Sequence, residues 1–392
     1  MVVAGVALIV VALNLRIAIA ALSPVLDAIQ RDTGISSTVA GLLATVPVIC
    51  FGIFALTTPG LIRCFGMERT LWGTMIVLTA GIIVRLLPSL VMLFFGTAVI
   101  GAAIGVANVL LPAVIKRDFP AQVGLMTGLF SMSLFVGAAL SAGLTVPLEH
   151  AAGVGWRSAM AAWAIPAVLA VAVWAPQISA RKSDRTTPPQ HLPIRGLWLD
   201  WVAWMVTGFM GLQALGYYAT LTWLPTLLRS HHMAASQAGW MLSFSSFPGI
   251  AAALTTPSLA RRLRQPEAMV VLCVAFSAVG YLGLIVAPIS LVYLWMVALG
   301  LGQGIAISLA LGYIVARAPD SHHTAHLSTM AQSVGYLIAC IGPLALGAIH
   351  DMTAGWTVPL LVLILVLVPV LFTGLAACQE RYVLTPERPA AL

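Results

Sequence analysis

Twelve apolar segments, each about 20 residues long or longer, follow one another along this chain with only short polar connections. They lie at approximately 3–28, 38–60, 70–88, 90–115, 124–147, 156–176, 198–228, 236–259, 267–287, 290–316, 324–349 and 356–378. A helix of that length spans the hydrocarbon core of a bilayer. Charged residues make up 8% of the chain, against roughly 25% in soluble proteins. The sequence therefore predicts an all-α membrane protein with twelve transmembrane helices.

The positions of Lys and Arg predict the orientation of these helices. With the N-terminus in the cytoplasm, 14 of the 19 basic residues fall in cytoplasmic segments and four fall outside, while Arg16 lies within a helix. Cytoplasmic loops carry the excess of Lys and Arg in membrane proteins. We therefore expect both termini to be cytoplasmic. The basic loops also account for the net charge of +7, so this charge does not indicate a nucleic-acid partner.

One nonapeptide occurs almost unchanged in each half of the chain. "ALTTPGLIR" begins at Ala55 and "ALTTPSLAR" begins at Ala253, so seven of nine positions match at a separation of 198 residues. A "GW" dipeptide also recurs, at 155–156 and 355–356. Between the halves lies a polar stretch rich in Pro and charge, which is typical of a linker. We predict a six-helix bundle over 1–178, a cytoplasmic linker over 179–197, and a second six-helix bundle with a short cytoplasmic tail over 198–392.

Several motifs resemble a known transporter superfamily. The turn "PGLIRCFGMER" is similar to the helix 2–3 signature of the major facilitator superfamily, with Gly66 and Arg69 in place, although Arg63 replaces the usual acidic residue. Within that superfamily, "LNLRIAIAALSPVLDAI", "GTAVIGAAIGVANVLLPAVIKRDFP" and "MAQSVGYLIACIGPLALGAIHD" resemble the cyanate-permease and nitroimidazole-transporter family. The resemblance implies two pseudo-symmetric six-helix bundles, a bacterial inner (plasma) membrane, and a monomer that needs no cofactor.

The resemblance also implies where a solute would bind. Helices 1, 4, 7 and 10 would surround a central cavity, with helices 2, 5, 8 and 11 beside them. Polar side chains near the bilayer midplane are costly unless they face such a cavity or another helix. The candidate substrate-binding residues on these helices are Arg16, Asn14, Asn108, Gln213, Tyr217, Gln303 and Gln332.

Helical geometry sets alternatives for some of these residues. Asn14 and Arg16 are two positions apart and project to nearly opposite sides of their helix, so only one can face the cavity squarely. The other would serve helix packing, as Asn commonly does. Tyr217 shares a face with Gln213, whereas Tyr218 points about 100° away and would need a rotated or unwound helix to reach the cavity.

Other polar groups are assigned to gating or to loops. Arg63, Arg69 and Arg261 lie at the cytoplasmic ends of the matching helices, and we expect them to act as gate residues. Three histidines in "SHHTAH" lie beside Asp320, but a solvated helix start is favoured over a metal site. Common hydrolase and nucleotide-binding motifs are absent from the sequence, so an enzyme is not expected.

Two functions of one fold remain open. The first is a secondary transporter for a small anionic or polarisable organic solute that works by alternating access, with protons as a coupling ion. The second is a proton-coupled exporter of drugs or metabolites. An exporter of cations commonly uses a carboxylate within the membrane, and every Asp and Glu here falls at a helix end, in a loop or in a terminus. The sequence therefore favours the first function.

Overall fold

The computed structural model describes residues 2–35, 37–152, 155–180, 196–263, 266–287 and 289–384, and this part of the chain is helical without strands. The helices are α1 (Val2–Ala20), α2 (Leu26–Thr33), α3 (Ser37–Ala55), α4 (Thr58–Phe65), α5 (Met67–Val84), α6 (Leu90–Asp118), α7 (Val123–Ala152), α8 (Gly155–Ala162), α9 (Ala164–Ala180), α10 (Trp201–Ser230), α11 (Ala235–Leu263), α12 (Pro266–Val286), α13 (Val292–Ala316), α14 (Ser321–Thr353) and α15 (Thr357–Cys378).

Most of these helices are long and apolar enough to cross a membrane. In the described part, nine helical segments meet this condition, and the pair α3 and α4 forms a tenth segment that is bent by 57°. Helices α10 and α11, with 30 and 29 residues, are long enough as well but more polar. Both pack against neighbouring helices, which give their polar side chains partners other than lipid. With them the described part of the chain has twelve helical segments in the predicted order.

The same packing plan is present in both halves of the chain. In the first half α1 packs against α7 and α9, and α6 packs against α3 and α5. In the second half α10 packs against α14 and α15, and α13 packs against α11 and α12. Contacts between the halves also come as a matched pair, α7 with α11 and α14 with α3. This pattern has the form of two similar bundles related by a twofold axis. The predicted boundaries 1–178, 179–197 and 198–392 stay a prediction, and residues 181–195 of the linker lie outside the described residues.

Glycines at matching positions allow the closest of these approaches. A Cβ atom at Gly101 or Gly105 of α6 would lie 2.8 Å from backbone atoms of Pro47 and Phe51 in α3. A Cβ at Gly304 of α13, 199 residues after Gly105, would lie 2.9 Å from the Cβ of Ala252 in α11. In a membrane no water is expelled when helices associate, so small residues at these positions stabilise the contact by letting the helix backbones pack closely. The sequence therefore brings α6 and α13 into contact with their partners by the same means.

The repeated nonapeptide adopts two different conformations. Its first copy breaks the helix between α3 and α4, whereas its second copy continues through α11 with Pro257 inside the helix. A proline removes the hydrogen bond to the carbonyl four residues earlier. In α11 that carbonyl, of Ala253, accepts a bond of 3.0 Å from the Ser308 hydroxyl of α13. In the first half, α6 has no Ser or Thr beyond Thr97, so it offers no hydroxyl donor equivalent to that of Ser308.

The halves are closed together at one end of the bundle. This end carries Arg63, Arg117 and Arg317 and is called the basic end below. Every residue of α6 from Ala103 to Ile115 is buried, as is every residue of α13 from Gly304 to Leu311. Buried side chains on all sides of a helix mean that neighbouring helices surround it there. The described residues therefore leave no wide opening between α6, α13 and their neighbours toward the basic end.

Candidate substrate-binding site

A cavity of about 390 Å³ lies between the halves near the middle of the helices. It is bounded by side chains from α1, α7, α10, α13 and α14, so both halves contribute. The lining residues are Arg16, Leu134, Phe135, Met210, Gln213, Ala214, Tyr217, Tyr218, Gln303, Ile307 and Tyr336. The predicted residues Arg16, Gln213, Tyr217 and Gln303 are therefore brought together in one place.

Arg16 of α1 supplies the positive charge of this cavity. Its Nη1 donates a hydrogen bond of 2.7 Å to the Tyr218 hydroxyl, which belongs to α10 of the other half. The centre of its guanidinium lies 5.5 Å from the ring centroid of Tyr217 and 5.7 Å from that of Tyr218. Among the described residues, no carboxylate lines the cavity or forms an ion pair with Arg16. Tyrosine rings and one hydroxyl are thus the protein groups that offset this charge.

Three tyrosines form a continuous aromatic wall. The rings of Tyr217 and Tyr218 are 5.3 Å apart, and the ring of Tyr336 is 6.3 Å from that of Tyr218, in edge-to-face arrangements. Phe135 of α7 packs against Tyr217 at 6.2 Å. The expectation that Tyr218 would point away from the cavity is wrong. Two adjacent residues of α10 both reach it with their long side chains, and the guanidinium of Arg16 lies within 6 Å of both rings.

The two predicted glutamines come from two neighbouring helices of the second half, α10 and α13. Gln213 is buried, and its Nε2 donates a bond of 3.1 Å to the carbonyl of Met210, one turn earlier on α10. Gln303 of α13 has a buried Nε2 that makes no hydrogen bond of good geometry among the described residues, although it lies beside the hydroxyl of Tyr281. An amide N–H without an acceptor is a donor available to a ligand, and leaving it unused would be costly. Gln303 therefore suits a ligand that carries an acceptor atom.

Three predicted substrate residues do not line the cavity. Asn14 is buried and donates to the carbonyls of Val10 at 2.8 Å and Pro166 at 3.0 Å, which ties α1 to α9. The packing alternative for Asn14 is therefore what the structure shows. Asn108 and Gln332 bond across the halves, as described below, and neither faces the cavity.

The predicted gate residues differ in their surroundings. Arg63 and Arg69 are exposed at the basic end, and the side chain of Arg261 lies outside the described residues. The sequence reasoning overlooked Arg117, whose Nη2 lies 2.8 Å from the Glu68 carboxylate and whose Nε lies 2.7 Å from Asp118. Arg117 joins the ends of α5 and α6 within one half. A gating role for Arg63, Arg69 and Arg261 stays a prediction.

Arg85 is a buried arginine at the end of α5, although it is one of the four basic residues expected on the outer side. It is 2% exposed, and it donates to the Thr97 hydroxyl at 3.1 Å and to the Ala18 carbonyl at 3.0 Å. The Leu22 amide bonds to Ile19 instead of Ala18, so Arg85 satisfies a carbonyl that the end of α1 leaves free. Its role is thus that of a cap at the end of α1, remote from the cavity lining.

The histidine cluster is organised around the start of α14. Asp320 accepts bonds from the backbone N–H of His323 at 2.8 Å and from its ring Nδ1 at 2.9 Å. Burial would raise the pKa of Asp320, but these hydrogen bonds outweigh it and hold the pKa below its usual value. A metal-sized arrangement of Asp320, His322 and His323 is present, but helix capping accounts for the position of the carboxylate.

Comparison with known proteins decides the family. The model of the Major Facilitator Superfamily matches residues 8–343 and again residues 211–387. The chain belongs to the Major Facilitator Superfamily. This finding confirms the predicted fold class and the resemblance on which it rested.

Members of the superfamily with similar sequences or folds are transporters by name. The chain is 36% identical to the 2-nitroimidazole transporter of Escherichia coli over 95% of each chain. It is 28% identical to the cyanate transport protein CynX of Escherichia coli, covering 89% of this chain and 90% of that one. Its fold is similar to that of XylE, a superfamily proton:xylose symporter, with a TM-score of 0.74 at 13% identity over 96% and 94% of the two chains. The predicted likeness to the cyanate and nitroimidazole transporters is thus confirmed.

Proposed function

We propose that this protein is a secondary transporter of a small organic anion, or of a similarly polarisable solute, which binds against Arg16. The observation that carries this proposal is the position of Arg16 in a cavity between the two halves, with no carboxylate beside it among the described residues. A buried cation without a counter-ion is costly, at least about 2.5–3.5 kcal/mol on insertion scales. A bound anion would offset that cost.

The geometry of Arg16 suits a carboxylate or a comparable group with two oxygens. One guanidinium nitrogen is used by Tyr218, which leaves the other N–H groups of Arg16 without an acceptor among the described residues. A guanidinium can hold two oxygens by two parallel hydrogen bonds. The Nε2 of Gln303 would add a neutral donor from α13 of the second half.

The walls of the cavity favour a small and flat solute. The rings of Tyr217, Tyr218 and Tyr336 and the ring of Phe135 border the space beside Arg16, and flat aromatic faces suit a flat solute. The names of two relatives, for 2-nitroimidazole and for cyanate, describe solutes that are also small and carry electronegative acceptor atoms. An aromatic acid, a nitro-heterocycle and a small inorganic anion all fit this description.

Alternating access would move the solute. The site lies between two similarly packed halves, so a rocking motion of one half against the other would expose it to each side in turn. An interior-negative potential opposes anion entry by about 2.3 kcal/mol per charge per 100 mV, so uptake would need a co-transported proton or an exchanged anion. Since no carboxylate lines the cavity in the described part of the chain, the alternative of a proton-coupled exporter of cations is less well supported.

Matched solutes of equal shape and different charge test this proposal. We would measure the thermal stability of the purified protein with carboxylate and carboxamide pairs, such as benzoate and benzamide, and with cyanate and 2-nitroimidazole. A ligand that binds the folded state raises its stability in proportion to the logarithm of ligand concentration over Kd. We expect at least one anion to raise the melting temperature while its neutral amide does not. Equal shifts by both members of every pair would contradict the anion proposal.

A further inference from the structure

Three buried polar side chains join the halves beside the cavity. The Nδ2 of Asn108 in α6 donates a bond of 3.3 Å to the hydroxyl of Tyr336 in α14. The Nε2 of Gln332, one helical turn before Tyr336, donates a bond of 2.8 Å to the backbone carbonyl of Asn108. Asn108, Gln332 and Tyr336 are 4%, 1% and 3% exposed, so water does not compete for these bonds. The three residues are called the inner bridge.

The inner bridge lies between the cavity and the basic end. At 1.5 Å per residue, Asn108 is about 15 Å from the end of α6 at Asp118, and Gln332 is about 16 Å from the start of α14 at Ser321. Arg16 is about 21 Å from the start of α1 at Val2, which lies at the same end. A solute that left the cavity toward the basic end would therefore pass the level of the bridge.

Tyr336 belongs to the bridge and to the cavity at once. Its ring packs against Tyr218 at 6.3 Å, and Tyr218 accepts the hydrogen bond from Arg16. On its other side the ring packs against Phe51 of α3 at 5.1 Å. Tyr336 is thus held from the first half by Phe51 and Asn108, while it supports Tyr218 within the second half.

We infer that Asn108, which bonds to Tyr336, and Gln332, which bonds to the backbone of Asn108, are positioning residues, a role different from the solute-binding one that their sequence suggested. The inner bridge closes the cavity toward the basic end and, at the same time, holds Tyr218 against Arg16. Because its hydrogen bonds join different halves, they must break when the halves separate at the basic end. Opening at that end therefore also loosens the contact between Arg16 and Tyr218. This part of the inference, the link to the solute site, rests on the proposed function.

Removal of one hydroxyl group tests the bridge. Tyr336→Phe removes the acceptor of the Asn108 amide and keeps the ring. The matched control is Tyr281→Phe, since Tyr281 is also 3% exposed but bonds within the second half, to Thr220 at 3.1 Å. Loss of one ordinary buried hydrogen bond shifts an equilibrium about fivefold. We therefore expect Tyr336→Phe to raise the population open at the basic end about fivefold and Tyr281→Phe to leave it within twofold.

The reporter is a cysteine at Ser328, one helical turn from Gln332 on the side of the basic end. Ser328 is fully buried, and Ser328→Cys is nearly isosteric. Its rate of reaction with N-ethylmaleimide, read by mass spectrometry at this position, is proportional to the open population even when that population is small. Equal rates in Tyr336→Phe and Tyr281→Phe would overturn the inference. In the double variant Tyr336→Phe/Gln332→Met, which loses both hydrogen bonds of the bridge, we expect labelling about 25-fold faster than with the intact bridge. No increase in the labelling rate of this variant would also overturn the inference.

These rates are measured without a solute, so they do not depend on the proposed function. In a second series, millimolar benzoate or 2-nitroimidazole is added to the protein with an intact bridge. We expect an anion that binds at Arg16 to slow the labelling of residue 328, because it stabilises the closed bridge. A fivefold effect of Tyr336→Phe with no response to either solute would support the bridge and count against its link to the solute site.

Discussion

Arg16 shows how one residue can define a site and still depend on its neighbours. The importance of Arg16 could be predicted from the sequence, because a cation in the middle of an apolar helix is costly unless it serves a function. The hydrogen-bond partner of Arg16 could not be predicted from the sequence, since Tyr218 lies 202 residues away and on a different face of α10 from Tyr217. Only the packing of the two halves against each other, through α7 with α11 and α3 with α14, brings the guanidinium within 6 Å of both rings.

The hydroxyl of Tyr218 should fix the orientation of that guanidinium. In Tyr218→Phe the Nη1 of Arg16 loses its acceptor, while the ring and the cavity shape are kept. We expect the affinity for the anion to fall about tenfold, since hydrogen bonds to charged groups contribute about 1.5–3 kcal/mol. Isothermal titration with the best ligand of the thermal screen would measure this. Tyr313→Phe is the control, because Tyr313 is also buried but does not line the cavity, and an equal loss in both variants would refute a specific role for Tyr218.

At the scale of helices, the residue pattern explains the contacts more fully than it explains the bends. The glycines of α6 could be assigned to helix packing from the sequence, and the structure confirms that Gly101 and Gly105 face α3. The break after Ala55 could not be predicted, because the same nonapeptide continues as a helix in α11. In α11 Ser308, which is remote in sequence, donates its hydroxyl to the carbonyl that Pro257 leaves free.

A pair of glycines in α13 tests this account of packing. A Cβ at Gly304 would crowd Ala252, whereas a Cβ at Gly312 meets no atom within 4 Å. Overpacking of this kind costs about 1–3 kcal/mol. We therefore expect Gly304→Ala to lower the melting temperature by several degrees and Gly312→Ala to leave it unchanged or raise it slightly, because Ala favours helices. A tolerated Gly304→Ala would show that α11 and α13 can separate without cost.

For the whole molecule, the symmetry of the packing was foreseeable and the closure of the basic end was not. Matching motifs 198 residues apart imply two similar bundles, but either end of such a pair can be closed. Asn108 and Gln332 illustrate the limit of the sequence. Their residue type and depth in the membrane suggested solute binding, yet the side-chain amide of each donates a hydrogen bond to the other half. Residues that bind a solute and residues that hold the bundles together have the same polarity and depth.

The orientation predicted from basic residues can be tested with native and introduced cysteines. Cys64 is exposed at the basic end, and His232 is exposed at the opposite end. If the basic end is cytoplasmic, a membrane-impermeant maleimide should label Cys64 only in inverted vesicles and His232→Cys only in right-side-out vesicles. The reverse pattern would place the termini outside. Permeant N-ethylmaleimide, which should label both positions in both preparations, controls for reactivity.

The central claim is that an anion binds in the cavity through Arg16. The most direct test is isothermal titration of the best anion from the thermal screen into the unmodified protein and into Arg16→Lys and Arg16→Ala. Arg85→Lys is the control, because Arg85 is buried but does not line the cavity. We expect Arg16→Lys to bind about 10-fold to 100-fold more weakly, since it keeps the charge but loses the two parallel bonds. Arg16→Ala should remain folded without measurable binding, and Arg85→Lys should bind normally. Binding of the anion to Arg16→Ala with unchanged affinity would contradict the claim.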